Sequence, residues 1–296
     1  MPKIQLLNAL QEQPSRPRDC ALLVSVPTTW QEFSADYSAG ADFVAGYTRS
    51  SGGSTAEDGW RAYQPYASLA RHVMNQVKKR GVTVFERATL AHLHSALETY
   101  PVTTLMAHWR SARFRPQDIV DPAAVSAFLQ EEPPAVHSRD ERSRLSSALN
   151  ALLDEGRATA PSDEPMGHGG LSAEQFRWQE KRQAIEAAAP GAFRGGAAVE
   201  LAEGFRTIAE ITGGISPGYA GTLDLTVCQS VRLGEMVRRK CPKSSVLTSA
   251  SNTSMDFRFA AYHQVIEVLA RSPRPFEDAV IEVRKALILR YDQTGK

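Results

Sequence analysis

Cysteine is scarce in this chain, which has only Cys20, Cys228 and Cys241 among 296 residues. Three irregularly spaced cysteines are too few for a disulfide framework, and no Cys-x-x-Cys pair indicates a zinc or redox site. The opening segment is interrupted by Gln11, Glu12 and Gln13, so it does not predict a signal peptide. We therefore expect reduced thiols, no metal and a cytoplasmic location.

Long apolar runs and an excess of one charge are also missing. No run of about 18 apolar residues occurs, so the sequence predicts no transmembrane helix. Lys and Arg number 34 against 33 Asp and Glu, a net charge of +1. A balanced charge gives no argument for a nucleic acid or an anionic membrane as a partner. We expect a soluble protein that binds neither.

Phosphate-binding motifs are absent too. No Gly-x-Gly-x-x-Gly follows the first apolar run, and no Gly-Lys-Ser/Thr occurs anywhere. A nucleotide-binding protein, suggested only by Gly213, Gly214 and Gly218, is therefore a disfavoured alternative. No cofactor is predicted.

The chain does contain an alternation of strands and helices. Short apolar runs predict strands at residues 21–26, 82–85, 102–109, 222–227 and 245–250. Helical spacing predicts helices at 66–79, 89–98, 197–212, 257–270 and 276–291, and one after Cys228. Residues 34–60, rich in Gly, Ser and Asp, predict a long loop. This order predicts an α/β fold with a mostly parallel sheet between helices.

The middle of the chain differs in character. Residues 113–196 contain Arg-, Glu- and Ala-rich helical segments separated by Pro and Gly, which predicts a helical insertion within a single domain spanning 1–296. Its segments 131–134 and 156–170 have the composition of flexible junctions. Arg142, Arg144 and Arg157 lie in or near this exposed-looking region, so cleavage of the chain within the insertion is one hypothesis.

Two residues that follow apolar strands carry the chemistry. His108 ends the strand at 102–109, and Cys228 follows the strand at 222–227. Catalytic groups of open α/β sheets collect beyond the carboxyl ends of strands, so the two residues can meet in space. A cysteine between a strand and a helix lies near unpaired backbone N–H groups, which favour the thiolate. The alternatives are a core histidine and a buried structural cysteine.

The remaining histidines compete poorly with His108. His72, His92, His94 and His263 fall in helical patterns, His137 lies in a charged segment, and His168 lacks a preceding apolar strand. The α/β-hydrolases place the nucleophile before the histidine, whereas here only His263 follows Cys228. Histidine before cysteine therefore indicates a different class of hydrolase.

The strand order, the His108-Trp109 ending and the segment Leu223-Asp224-Leu225-Thr226-Val227-Cys228-Gln229-Ser230 resemble the caspase-like cysteine peptidases, and among them the bacterial CHAT group. The resemblance covers residues 19–110 and 197–270. It implies a caspase-hemoglobinase three-layer sandwich whose helical insertion separates the histidine from the cysteine. It also implies peptide-bond cleavage by a His108/Cys228 dyad, with no third catalytic residue.

The resemblance implies further roles around that dyad. The backbone N–H of Cys228 would hold the oxyanion, and Trp109, where eukaryotic caspases have Gly, would be the second donor. Asp224 shares a strand face with Cys228 and would receive a basic substrate side chain, the alternative being a structural carboxylate. Ser249 and Ser251 follow the last strand, where an extended substrate would pair.

CHAT peptidases often act in bacterial defence, some of them beside gasdermins, pore-forming proteins that cleavage activates. The resemblance thus suggests a protein substrate, with a gasdermin-like protein as one candidate, and an upstream activator protein. The alternative function is a catalytically inactive caspase-like module that binds or regulates a partner.

Overall fold

The computed structural model describes residues 4–7, 13–110, 119–131, 185, 192, 198–225, 230–249 and 254–294. The chain divides into two compact units. The first consists of Met1–Trp109 and Val199–Lys296, and the second is Arg110–Ala198. The predicted insertion, 113–196, falls within the second unit.

A six-stranded sheet is the frame of the first unit. Its strands are β1 (Ile4–Leu7), β2 (Cys20–Val24), β3 (Thr83–Glu86), β4 (Val102–Met106), β8 (Thr222–Leu225) and β9 (Ser245–Ser249). They lie in the order β1-β9-β8-β4-β2-β3, with β1 antiparallel to β9 and the other pairs parallel. Strands β2, β4, β8 and β9 are buried along their whole length, where apolar residues predominate. The sequence located these four strands and the partly buried β3. The α/β class and the mostly parallel sheet are confirmed.

Helices cover this sheet on both faces. In the first unit they are α1 (Trp30–Ser38), α2 (Asp42–Ser50), α3 (Ala56–Lys79), α4 (Leu90–Thr99), α6 (Ile208–Gly213), α7 (Val231–Lys240), α8 (Met255–Arg271) and α9 (Phe276–Thr294). The main core lies between one sheet face and α3, α8 and α9, with Leu22, Met106 and Phe259 in it. Helix α4 packs against β2 and β4, and α7 against β9. This arrangement is compatible with a three-layer sandwich. No helix of the described residues is long and apolar enough to cross a bilayer.

The loop predicted for residues 34–60 is wrong, because this region forms α1, α2 and the start of α3. Helix α1 begins with a capping box, in which Thr29 and Glu32 satisfy each other's backbone N–H groups. Helix α3 begins in the same way with Thr55 and Asp58. The polar residues taken as loop composition are therefore helix-starting signals.

The helix predicted for residues 197–212 is also wrong over most of its length. Residues there form β6 (Ala198–Leu201) and β7 (Gly204–Thr207), followed by the short helix α6. Gly204, the first residue of β7, directly follows the turn at 202–203 and has a φ of +101°, a conformation that favours glycine. The strand predicted at 102–109 breaks at Ala107, and its end forms β5 (His108–Arg110). A second sheet has the order β5-β6-β7.

The described part of the second unit contains α5 (Pro122–Glu131), a helix within the segment that the sequence predicts to be a helical insertion. Val125, Ile185 and Ala192 form a small buried cluster there. Asp121 starts the helix by accepting a hydrogen bond from the backbone N–H of Ala124. The other helices predicted for the insertion lie outside the described residues.

Candidate functional site

The carboxyl edge of the parallel sheet brings together the ends of β4 and β8. These strands are neighbours, and Thr104 pairs with Asp224 in their register. His108 stands four positions after Thr104, and Cys228 stands four positions after Asp224. Both predicted dyad residues therefore lie beyond the ends of adjacent strands, each four positions after one member of the Thr104–Asp224 pair.

The imidazole of His108 lies against the first turn of α2. Its Nε2 is 3.9 Å from Oδ2 of Asp42. Its ring centroid is 5.3 Å from that of Phe43, with the planes tilted by 44°. The His108 side chain is 23% exposed, so a reactant can still reach it. The Phe43 ring beside the imidazole and the Asp42 carboxylate near its Nε2 restrict the orientation of the His108 side chain.

Glu200, on β6, provides a second carboxylate at this place. Only 8% of the residue is exposed. Its Oε1 accepts a hydrogen bond from the backbone N–H of Asp42 at 2.8 Å, and its Oε2 accepts one from that of Phe43 at 2.9 Å. Burial raises the pKa of the Glu200 carboxyl, against the opposing effects of His108 and of the two N–H groups. Glu200 thus caps α2 where that helix contacts His108.

Ser25, directly after the end of β2, holds the backbone of Glu200 by a hydrogen bond. The Ser25 hydroxyl donates a 2.8 Å hydrogen bond to the Glu200 carbonyl oxygen, and the Ser25 N–H donates to that of Met106 at 3.0 Å. Arg87 donates to the Ser25 carbonyl at 3.0 Å and binds both carboxylate oxygens of Asp36, at 2.8 and 2.6 Å. Arg87 has a φ of +49°, which is unusual for a residue other than glycine. Strain of this kind concentrates at functional sites.

A buried arginine holds the strand that leads to His108. Arg258, in the first turn of α8, is 4% exposed. Its Nη2 donates to the Leu105 carbonyl at 2.7 Å, and its Nη1 lies 3.5 Å from the Ala107 carbonyl. These carbonyls flank the point where β4 ends, so the guanidinium fixes the backbone directly before His108.

Two of the three cysteines are poor nucleophiles. Cys20 and Cys241 are free and fully buried. Burial raises the pKa of the Cys20 thiol, with a further contribution from Asp19, and burial also raises that of Cys241. A buried thiol with a raised pKa forms little thiolate, the reactive species. Cys228 lies outside the described residues, in the segment 226–229.

Both ends of the segment that contains Cys228 are fixed by hydrogen bonds. The Ser230 hydroxyl donates to the carbonyl of Leu225, the last residue of β8. The Ser230 N–H donates to the Ser249 carbonyl at 2.9 Å, and the Ser249 N–H donates to the Ser230 hydroxyl at 3.0 Å. Helix α7 then begins at Val231, three positions after Cys228.

These contacts limit where an extended substrate could pair with the end of β9, the role predicted for Ser249 and Ser251. Ser249 is fully buried, and its backbone N–H and carbonyl both bind Ser230. On its other side β9 pairs with β1, with Ile4 opposite Ser249. An extended substrate would therefore have to pair beyond Ser249. Ser251 lies outside the described residues, and the binding roles of both serines stay predictions.

Asp224 occupies an interior position. It is 5% exposed, and its Oδ2 accepts a 3.4 Å hydrogen bond from the Thr104 hydroxyl. It lines a cavity of about 30 Å³ together with Met106, Arg258 and Arg284. That volume accommodates about one water molecule, and the Arg284 guanidinium already interacts electrostatically with the Asp224 carboxylate. The geometry thus favours the structural alternative for Asp224 over a receptor for a basic side chain.

The predicted oxyanion donors are described in part. Trp109 lies in β5 with its side chain 6% exposed. Its ring is therefore part of the packing, while the backbone N–H remains the group that would contact an oxyanion. The donor role of Trp109, like that of the Cys228 N–H, stays a prediction.

Sequence reasoning missed Asp42, Glu200 and Arg258. The loop predicted for residues 34–60 includes Asp42, and the helix predicted for residues 197–212 includes Glu200. A usable signal for Glu200 is the apolar-polar-apolar order of Val199-Glu200-Leu201 shortly before Gly204, which is typical of a short strand leading into a hairpin. Within the described residues, no group of three or more His, Cys, Asp or Glu side chains is placed to hold a metal ion.

Comparisons of this chain with family models, with curated proteins and with solved structures found no match.

Proposed function

We propose that this chain is a caspase-like cysteine endopeptidase that uses a His108/Cys228 dyad. The observation that carries the proposal is the pairing of β4 with β8 in parallel register, from which His108 and Cys228 each follow by four positions. Two further observations support it. The other two thiols are buried with raised pKa values, and the His108 imidazole lies beside carboxylates at the carboxyl edge of the sheet.

The reaction follows from the chemistry of these groups. Cys228 transfers its thiol proton to the His108 imidazole, and the sulfur attacks the scissile carbonyl carbon. The new C–S bond forms as the carbonyl electron pair moves to oxygen, where backbone N–H groups stabilise it. The imidazolium then gives its proton to the departing amine as the C–N bond breaks. Water hydrolyses the thioester with His108 as base, which restores the thiol.

The Asp42 carboxylate, 3.9 Å from Nε2 of His108, contributes to the first step. Positive charge develops on the imidazole as the thiolate forms, and a nearby carboxylate stabilises that charge. Asp42 and Glu200 thus assist the histidine through electrostatics.

The substrate class follows from the proposed reaction, a peptide bond in a protein. A gasdermin-like pore former, bacterial defence, an upstream activator and a reducing cytoplasm are expectations that rest on the resemblance to the CHAT group. The catalytically inactive module is the alternative that the experiment below distinguishes.

The test is cleavage of a proteome-derived peptide library by the purified full chain, read by mass spectrometry of the new termini. We expect a consistent residue pattern around the cleaved bond, abolished in Cys228→Ala and in His108→Ala. His72→Ala, which changes an exposed histidine on α3, is the matched control and should cleave like the wild type. Cleavage that persists in Cys228→Ala would overturn the dyad, and no cleavage by any variant with candidate activators present would favour the inactive module.

A further inference from the structure

We propose that Glu200 is the positioning residue of His108, acting through the first turn of α2. The inference rests on the proposed function, because it assigns a role in the reaction of that site. Glu200 does not need to touch the reacting atoms for this role. It sets where Asp42 and Phe43 lie, and those two residues flank the imidazole.

The geometry forms a continuous chain of contacts. The two carboxylate oxygens of Glu200 bind the backbone N–H groups of Asp42 and Phe43, at 2.8 and 2.9 Å. The side chains of the same two residues contact His108, one through its carboxylate at 3.9 Å and the other through its ring at 5.3 Å. A movement of the Glu200 carboxylate therefore moves both neighbours of the imidazole together.

The first turn of α2 needs this external partner. The residue before the helix is Ala41, and it makes no side-chain capping hydrogen bond. Helices α1, α3, α4 and α6 begin with a threonine whose side chain accepts a backbone hydrogen bond. Helix α2 instead has the first N–H groups of its turn bound by a residue 158 positions away in the sequence. A long-range cap ties the helix to β6, which a local cap does not do.

Glu200 is itself held rigidly. Its carbonyl oxygen accepts the Ser25 hydroxyl at 2.8 Å, and it is 8% exposed. The charged groups around the arrangement are Asp42 on α2, the Arg87–Asp36 pair bound to the Ser25 carbonyl, and Arg258 at the Ala107 carbonyl. None of these replaces the two hydrogen bonds that Glu200 makes to α2.

Glu203, three positions after Glu200, provides a matched control. Glu203 also accepts a hydrogen bond from the first N–H of a helix, that of Leu90 in α4, at 2.9 Å. Helix α4 keeps a local cap as well, because the Thr89 hydroxyl accepts from the His92 N–H. Glu203→Gln therefore makes the same chemical change at a comparable helix start, away from His108.

The experiment compares the wild type, Glu200→Gln and Glu203→Gln in the full chain. Inactivation by a peptidyl thiol-reactive probe gives the maximal rate, kinact, and the probe affinity, KI. We expect Glu200→Gln to lower kinact about 10- to 100-fold with KI within about twofold, in the range that small misplacements of catalytic groups cause. Glu203→Gln should match the wild type in both, and circular dichroism should show all three proteins folded at the assay temperature.

An NMR measurement is independent of peptidase activity. In histidine-labelled protein, with His108 assigned from its absence in His108→Ala, we expect Glu200→Gln to shift the His108 ring resonances and Glu203→Gln to leave them unchanged. If Glu200→Gln shifts the His108 ring resonances but no probe inactivates the wild type, the result supports the positioning role of Glu200 and refutes the proposed function. A folded Glu200→Gln with wild-type kinact and an unshifted His108 would overturn the inference.

Discussion

Replacement of Gly59 by alanine should destabilise the protein, although alanine is the better helix former. Gly59 lies in α3, where a Cβ atom would meet the Thr48 Oγ1 at 2.0 Å, the Thr48 Cβ at 2.9 Å and the Phe33 Cζ at 3.1 Å. Thr48 and Phe33 are buried, and the Thr48 hydroxyl binds the Val44 carbonyl, so neither can move freely. The absence of a side chain at Gly59 thus permits the close approach of α2 and α3.

The matched variant is Gly46→Ala in α2. A Cβ at Gly46 would meet no atom within 4 Å, so this change keeps only the gain in helix propensity. That gain is about 0.5–1 kcal/mol. Overpacking a tight contact costs about 1–3 kcal/mol. Because the propensity gain is common to both changes, the difference in free energy of unfolding between the two variants isolates the clash, and we expect about 1–3 kcal/mol.

Urea unfolding of both variants measures this difference, with thermal unfolding as a check. A gap of about 1–3 kcal/mol corresponds to roughly 2–5 °C in Tm for a chain of this size. The double variant Thr48→Ala/Gly59→Ala should recover part of the loss, because the hydroxyl that the new Cβ meets is removed. Equal stability of Gly59→Ala and Gly46→Ala would refute the close packing of α2 on α3, and with it the support that α3 gives to the helix beside His108.

Three further predictions follow from buried groups. Cys20 and Cys241 should resist alkylation by N-ethylmaleimide in the native state and react only on unfolding, since burial raises the pKa of both thiols. Arg258→Met should cost about 2–4 kcal/mol in urea unfolding, because it strands buried carbonyls at the end of β4. Glu200→Gln should gain stability relative to the wild type as the pH rises above the ordinary range of a glutamate carboxyl, as measured by urea unfolding at each pH.

The raised pKa of Glu200 determines the direction in which the stability of Glu200→Gln changes with pH relative to the wild type. The folded state binds this proton more readily than the unfolded chain does. The resulting stability is fully present below the unfolded pKa, about 4.3, and is lost as the pH rises through the folded value. Glu200→Gln has no carboxyl group at this position and does not lose this stability as the pH rises. A difference in free energy of unfolding between the wild type and Glu200→Gln that stays constant with pH would contradict the prediction.

The other two predictions have their own contrary results. Alkylation of Cys20 or Cys241 in the native protein at the rate of the unfolded protein would show that the thiol is accessible. Arg271→Met, at the exposed end of α8, is the control for Arg258→Met and should change stability by at most about 0.5 kcal/mol. Equal effects of the two arginine replacements would contradict the role of Arg258 at the strand end.

Most of the sheet was predictable from the sequence because four of its strands, β2, β4, β8 and β9, are buried along their whole length. Residues 20–24, 102–106 and 245–249 are fully buried, and their aliphatic residues, mixed with Thr and Ser in the last two, are typical of short buried strands. Their order along the chain then predicted parallel pairing, and it placed His108 after a strand at the carboxyl edge. The break at Ala107 was not predictable, because nothing in the apolar pattern marks the point where the chain leaves one sheet for another.

The surroundings of His108 depend on contacts between residues that are distant in sequence. Glu200 binds the N–H groups of Asp42 and Phe43 across more than 150 positions, and no local pattern encodes such a pair. The helices α1 to α3 were a different case. Thr29 with Glu32, and Thr55 with Asp58, have the spacing of capping boxes. The sequence therefore contains the signal for these helices, beside a Gly and Ser content that favours a loop.

Covalent labelling of the native protein tests the dyad most directly. A panel of peptidyl thiol-reactive probes that differ in the residue before the reactive group would be applied to the full chain, and intact mass and peptide mapping would locate the label. We expect one label per chain, at Cys228, with a rate that depends on the peptide and falls sharply in His108→Ala. Slow labelling of all three cysteines, equal for every probe and unchanged by His108→Ala with candidate activators present, would contradict a peptidase site.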